Sequence, residues 1–94
     1  AAVKSAQIGF PKSLALEGKV KNVRANVIAP GLIQRNNERS QKERINSSPI
    51  KRLTAPEDVL SVLDFLLSIK SDAITGQVFV LDAGNDVRYR FLLE

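Results

Sequence analysis

Cysteine, histidine, methionine and tryptophan are all absent from the 94 residues. Without cysteine there is no disulfide and no thiolate metal site. Without histidine there is no histidine-based catalytic triad and no histidine-ligated metal. Any proton transfer must use Lys, Asp, Glu, Ser, Thr or the one tyrosine, Tyr89. Long apolar runs are also lacking: none approaches the roughly 20 residues that span a bilayer. No charged-then-apolar leader opens the chain, so the expected setting is a reducing, soluble one, the cytoplasm, with no membrane partner.

The length allows at most one small domain, whose stability alone would be marginal. The charge is uneven. Between Arg35 and Arg52 stand six bases (Arg35, Arg39, Lys42, Arg44, Lys51, Arg52) and two acids (Glu38, Glu43), which carry the whole net charge of +4. Such a patch suits a phosphate-bearing substrate or an acidic partner, and equally a solvated loop. No aromatic interleaves it, so bases of a nucleic acid find no stacking platform.

Residues 1–17 read as a helix. Ala2, Ala6, Gly9, Ser13 and Leu16 form a stripe of mostly small residues, beside a bulkier one of Val3, Phe10 and Leu14. Pro11 predicts a kink, because it cannot donate to the carbonyl of Gln7. Gly18 suits a C-terminal cap. VRANVIA, residues 23–29, is apolar on both faces and reads as a buried parallel strand stopped by Pro30-Gly31. The polar stretch 34–48 is expected to be a lid or loop, with room for a short helix from Glu38 to Ile45. TAPEDVLSVLDFLLSIK, residues 54–70, is the strongest helix. Thr54 and Glu57 have capping-box spacing, Pro56 sits in the first turn, and Val59, Leu63, Leu66 and Leu67 form the core stripe with Val62 at its edge. Thr75-Gly76 turns into a second doubly apolar strand, residues 77–82, and a tail, 85–94, has no assigned element.

The order helix, strand, lid, helix, strand is α/β, with two parallel strands joined through a helix in a right-handed βαβ unit. A two-stranded parallel sheet with apolar edges asks for further strands.

Four stretches, AAVKSAQIGFPKSLALE, VRANVIAPGLI, APEDV and AITGQVFVLDAG, resemble the short-chain dehydrogenase/reductase family in order and spacing. They cover nearly the whole chain to Gly84, and the nearest flavour is the 3-oxoacyl-carrier-protein reductase-like group. The resemblance implies that residues 1–94 are the C-terminal segment of a single Rossmann-type, doubly wound parallel sheet that binds NAD or NADP. It implies carbonyl–alcohol interconversion by hydride transfer, in which a tyrosine four residues before a lysine handles the proton. Lys4 matches that lysine, and the tyrosine would stand one position before Ala1. The spacing of four puts the two on one helical face, where the ammonium lowers the phenol's pKa. On the residues alone, Lys4 reads as a solvated lysine in a helix's first turn, and only the resemblance gives it a role.

Pro30, Gly31 and Ile33 match the family's strand-end segment beside the nicotinamide, although Pro-Gly also permits a plain turn. Arg35 stands where many relatives carry a threonine. Asn26 matches a position inside the strand and is read as structural. The segment 34–52 corresponds to the family's substrate lid, whose bases could meet an acidic carrier protein. Tyr89 cannot replace the missing tyrosine by its position. With no glycine-rich turn after a first strand there is no pyrophosphate cradle. The chain is therefore expected to be inactive alone and to need an N-terminal Rossmann half, in the same or a separate chain. The alternative is a non-catalytic structural or interaction fragment of the same descent. The small-residue stripe suits homo-oligomer packing or packing within one subunit.

Overall fold

A computed structural model describes residues 2–31 and 38–85. The chain order is α1 (Ala2–Gly18), β1 (Val27–Pro30), α2 (Glu38–Ser47), α3 (Pro56–Leu66) and β2 (Val78–Leu81), with 3-10 turns at Lys19–Lys21 and Ile69–Ser71. β1 and β2 pair in a two-stranded sheet. The Val27 N–H donates to the Gln77 carbonyl at 2.9 Å and the Gly31 N–H to Leu81 at 2.8 Å. Equal steps of four along both strands make the pair parallel.

Contacts divide the chain into two units, 1–29 with 61–79 and 30–60 with 80–94. In the first, α1 continues unbroken past Pro11, which is fully buried. Gly18 is not the left-handed cap expected of it. It remains helical, and Asn22 takes the left-handed conformation at φ 56. The Val23 N–H donates to the Gly18 carbonyl at 2.9 Å and the Asn22 N–H to Lys19 at 3.3 Å. These are the two bonds of a Schellman end, with asparagine in place of the usual glycine. Gly18 is needed for space, since a Cβ there would lie 2.5 Å from the Val23 oxygen.

Arg24 and Asn26 tie the approach to β1 to the far end of α3. The Arg24 guanidinium donates to the carbonyls of Ser71 (2.6 Å), Leu66 (3.3 Å) and Ile74 (3.3 Å), and to the Ser71 hydroxyl at 3.1 Å. Asn26 donates to the Ile74 carbonyl at 3.1 Å and accepts from the Gln77 N–H at 3.0 Å. Its side chain thus holds the Thr75-Gly76 turn, as its structural reading expects. Gly76 is left-handed at φ 74, and its missing Cβ faces Ala15 of α1 at 3.3 Å.

β1 is shorter than the stretch 23–29 and includes Pro30. Val27 and Gly31 point their N–H groups at β2, so by alternation Pro30's nitrogen faces away and costs no ladder bond. α3 begins at Pro56 as the first-turn proline requires, but Thr54 is not its cap. The capping frame lies one residue later: the Asp58 N–H donates to the Ala55 carbonyl at 3.0 Å, and the Ala55 N–H to the Asp58 carboxylate at 2.8 Å. Thr54 is drawn away by a 2.6 Å bond to the Leu81 carbonyl. α3 also stops at Leu66, where Ser68 caps the following 3-10 turn.

The polar stretch holds a full helix, α2, rather than an open loop. Glu, Gln, Lys and Arg lose little side-chain freedom in a helix, which favours it although apolar anchors are few. Among the described residues the only buried apolar side chain is Pro11. Leu67 of the expected core stripe is 76% exposed, and Val80 of β2 is 52% exposed. Both strands were expected to be covered on both faces; the described residues leave them half-buried or exposed. No helix among the described residues is long and apolar enough to cross a membrane.

Candidate functional site

In parallel sheets ligands gather at the carboxyl ends of the strands. Here those ends are Pro30-Gly31 and Leu81-Asp82. They are held together by the Gly31–Leu81 bond and by very close backbone approach: a Cβ on Gly31 would lie 2.6 Å from the Asp82 Cβ and 2.7 Å from its Cα. The glycine is therefore required by the spacing of the two strands, whatever lies beyond them. Pro30 is exposed and Gly31 half-buried. Gly31→Ala would force backbone against backbone and cost about 2–3 kcal/mol, as overpacked sites do. Denaturant unfolding of the protein checks this, and a loss below about 0.5 kcal/mol would contradict the packing argument.

Lys4 lies in the first turn of α1, in the first unit, and its side chain is outside the described residues. Pro30 and Gly31 belong to the second unit. Ile33, Arg35 and Tyr89 fall outside the described residues, as do 86–94 of the tail.

β2 leaves the sheet through a tight turn. The Asp82 carboxylate accepts from the Gly84 N–H at 3.0 Å, and Ala83 and Gly84 are left-handed at φ 57 and 86. A cleft of about 440 Å³ opens beside this turn, lined by Ile50, Arg52, Thr54, Asp58 and Val80 among others. In it Arg52 and Asp58 form a two-pronged pair at 2.6 and 2.8 Å. The guanidinium's hydrogen bonds, with that from Ala55, hold the Asp58 carboxyl down at about 2. Arg52 is thus engaged within the chain, and Lys51 donates to the Asn46 carbonyl at 2.6 Å. Lys42 and Arg44 on α2 are exposed.

An unfolded aspartate titrates near 3.9. Folded Asp58 binds its proton only at lower pH, so its contribution is complete above about pH 5 and disappears as pH falls from about 4 toward 2. Unfolding curves of the protein and of Asp58→Asn should differ at neutral pH and converge toward the acid end. A constant difference across that window would contradict the assignment. Neither this pair nor the contacts of Thr54 could be foreseen from spacing. Of the turn after β2 the sequence shows only the turn-forming composition of Ala83-Gly84-Asn85-Asp86.

The family model described as Enoyl-(Acyl carrier protein) reductase matches residues 1–86. The 3-oxoacyl-acyl-carrier-protein reductase of Chlamydia pneumoniae is 40% identical over 89 residues, covering 89% of this chain and 36% of the relative. A solved 3-oxoacyl-acyl-carrier-protein reductase with bound NAD from Brucella melitensis aligns with TM-score 0.78 and 39% identity, over 89% of this chain and 32% of that one. A 4-hydroxyisoleucine dehydrogenase complexed with NADH and succinate aligns with TM-score 0.75 and 32% identity, over 87% and 35%. The chain thus spans about a third of the length of these relatives. The parallel β1–β2 pair, its glycine-tight carboxyl end and the match over residues 1–86 make this chain a member of the short-chain dehydrogenase/reductase family of NAD(P)-dependent oxidoreductases, in the 3-oxoacyl-carrier-protein reductase-like group.

Proposed function

We propose that this chain is the C-terminal part of a cytoplasmic NAD(P)(H)-dependent oxidoreductase that interconverts a carbonyl and an alcohol. One observation carries the reading: the family model matches residues 1–86, a range that contains the Lys4 helix and the Pro30-Gly31 strand end. The dinucleotide, when bound, supplies or takes the hydride. Lys4 lowers the pKa of the proton-handling tyrosine and holds the nicotinamide ribose. Pro30, Gly31 and Ile33 form the strand-end backbone against which the nicotinamide lies. Gly31 fits that role because it keeps the two strand ends close and offers no side chain there. Residues 34–52 form a substrate cover whose exposed bases, Lys42 and Arg44, suit an acidic carrier protein.

The remaining strands, the glycine-rich phosphate cradle and the tyrosine belong to an N-terminal Rossmann half, in the same or a separate chain. The scarcity of buried apolar side chains among the described residues supports that need, because a sheet face at the centre of such a fold requires a covering layer. The completed enzyme is expected to form homo-oligomers.

The test compares this chain alone with the enzyme assembled from it and its N-terminal half, following NADH and NADPH consumption with acetoacetyl-CoA and other carbonyl substrates. Turnover by the assembled enzyme and none by the lone chain is expected. Dinucleotide binding by the lone chain at micromolar concentration overturns its incompleteness. An assembled enzyme inert toward every carbonyl and alcohol offered overturns the oxidoreductase reading.

A further inference from the structure

α2 has few apolar anchors, yet its C-terminal end is held by several hydrogen bonds. Ser48, which follows it, is 1% exposed although it is a serine at the end of a polar segment. The Ser48 hydroxyl donates its one proton to the Arg44 carbonyl, in the last turn of α2. The same oxygen accepts from Nδ2 of Asn85 at 2.9 Å. The second Nδ2 hydrogen of Asn85 goes to the Asp82 carbonyl at 2.8 Å, so the amide spans from α2 to the exit of β2.

Two backbone contacts run beside this relay. The Ile50 N–H donates to the Ala83 carbonyl at 3.0 Å. Pro49 packs where a Cβ on Gly84 would be, at 2.9 Å from that position. Ala83 is left-handed at φ 57, a conformation costly for a residue with a Cβ. Such a conformation persists only where the surroundings over-determine it, and here the contacts to 48–50 do so.

We infer that Asn85 is a positioning residue: through Ser48 it pins the C-terminal end of α2 to the carboxyl end of β2, and so fixes where the substrate cover sits. This rests on the reading of residues 34–52 as that cover. The pinned end is a pivot, and any movement of α2 takes place about it. The relay also has a direction. Ser48 has already given its proton to Arg44, so position 85 must donate. Asparagine can do this and an ionised aspartate cannot.

The test uses the assembled enzyme with Asn85→Ala and Asn85→Asp. Amide exchange over residues 44–50 should quicken about tenfold or more in both variants. With acetoacetyl-CoA the KM should rise about fivefold or more while kcat stays within about twofold and dinucleotide affinity is unchanged. Aspartate should rescue neither effect, although it matches asparagine in size. Unchanged exchange over 44–50, or full rescue by aspartate, overturns the relay. Faster exchange with unchanged KM overturns the positioning role. Should the variants fail to fold, the unmutated enzyme decides: the Ile50 amide should exchange no faster than the Gly31 amide, which also bonds to the end of β2, and faster exchange overturns the pivot. If the unmutated enzyme reduces no carbonyl substrate, the oxidoreductase reading fails, and the exchange measurements still judge the pivot.

Discussion

Replacing Lys4 with alanine in the assembled enzyme lowers kcat by about 10²–10⁴, the range that a positioned proton-transfer group supplies. A tyrosine one position before Ala1 would be four residues from Lys4, the spacing that puts two side chains one turn apart on a helical face. An ammonium there favours the phenolate over the phenol, which lowers the tyrosine's pKa toward the working pH. Without the charge the phenol titrates higher, so the limb of the pH–rate profile that reports it must move to higher pH. Dinucleotide affinity should fall as well, because the ammonium is assigned a second task on the ribose. Lys4→Arg keeps the charge but not the compact ammonium, and should recover only part of kcat. Stopped-flow rates across pH, with dinucleotide affinity measured separately, distinguish the two tasks. A Lys4→Ala enzyme with unaltered kcat and an unmoved limb would remove Lys4 from the chemistry.

The order of elements was legible because it depends on local patterns. Pro56 with Glu57 and Asp58 announces the start of α3, and Thr75-Gly76 before QVFVLD announces β2. Pro30-Gly31 was legible as a strand end, but the reason for the glycine was not. Asp82 reaches it from a strand some fifty residues later in the chain, and no local pattern records that approach. Thr54 shows the same limit. Its spacing to Glu57 suited a cap, yet a bond to Leu81 outweighed the local choice and Asp58 took over the first turn. Ser48 and Asn85 are small polar residues in turn-like sequence, and only the fold makes them partners. The helical state of α2 is hard to read from the sequence because the segment carries few apolar anchors. Its end is held instead by hydrogen bonds, which leave no periodic trace.

Arg24→Ala costs the assembled enzyme about 3 kcal/mol of stability, within the range for hydrogen bonds to charged groups. Arg24 lies in a stretch that reads as strand, where an arginine passes for a surface residue. In the structure its guanidinium meets four acceptors. One is the carbonyl of Leu66, the last residue of α3, and two belong to Ser71, which is fully buried. The guanidinium thus serves as the C-terminal cap of α3, and joins it to the approach to β1. Its positive charge also lies at the negative end of that helix's dipole. Alanine would remove the charged donor from each carbonyl and leave it one weaker bond: from the Ile74 N–H to Ser71, from the Ser71 hydroxyl to Leu66 and from Asn26 to Ile74. The loss stays below a sum over four full bonds, because a cleft of about 440 Å³ lined by Arg24 and Leu66 lets water replace part of it. Lysine keeps the charge but has one nitrogen in place of the two, Nη1 and Nη2, that share the four acceptors, so Arg24→Lys should recover about half. Denaturant unfolding measures both variants, with exchange of the Ser71 and Ile74 amides locating the damage. A loss below about 0.5 kcal/mol for alanine would show that the guanidinium's bonds contribute little, and full recovery by lysine would show that charge alone suffices there.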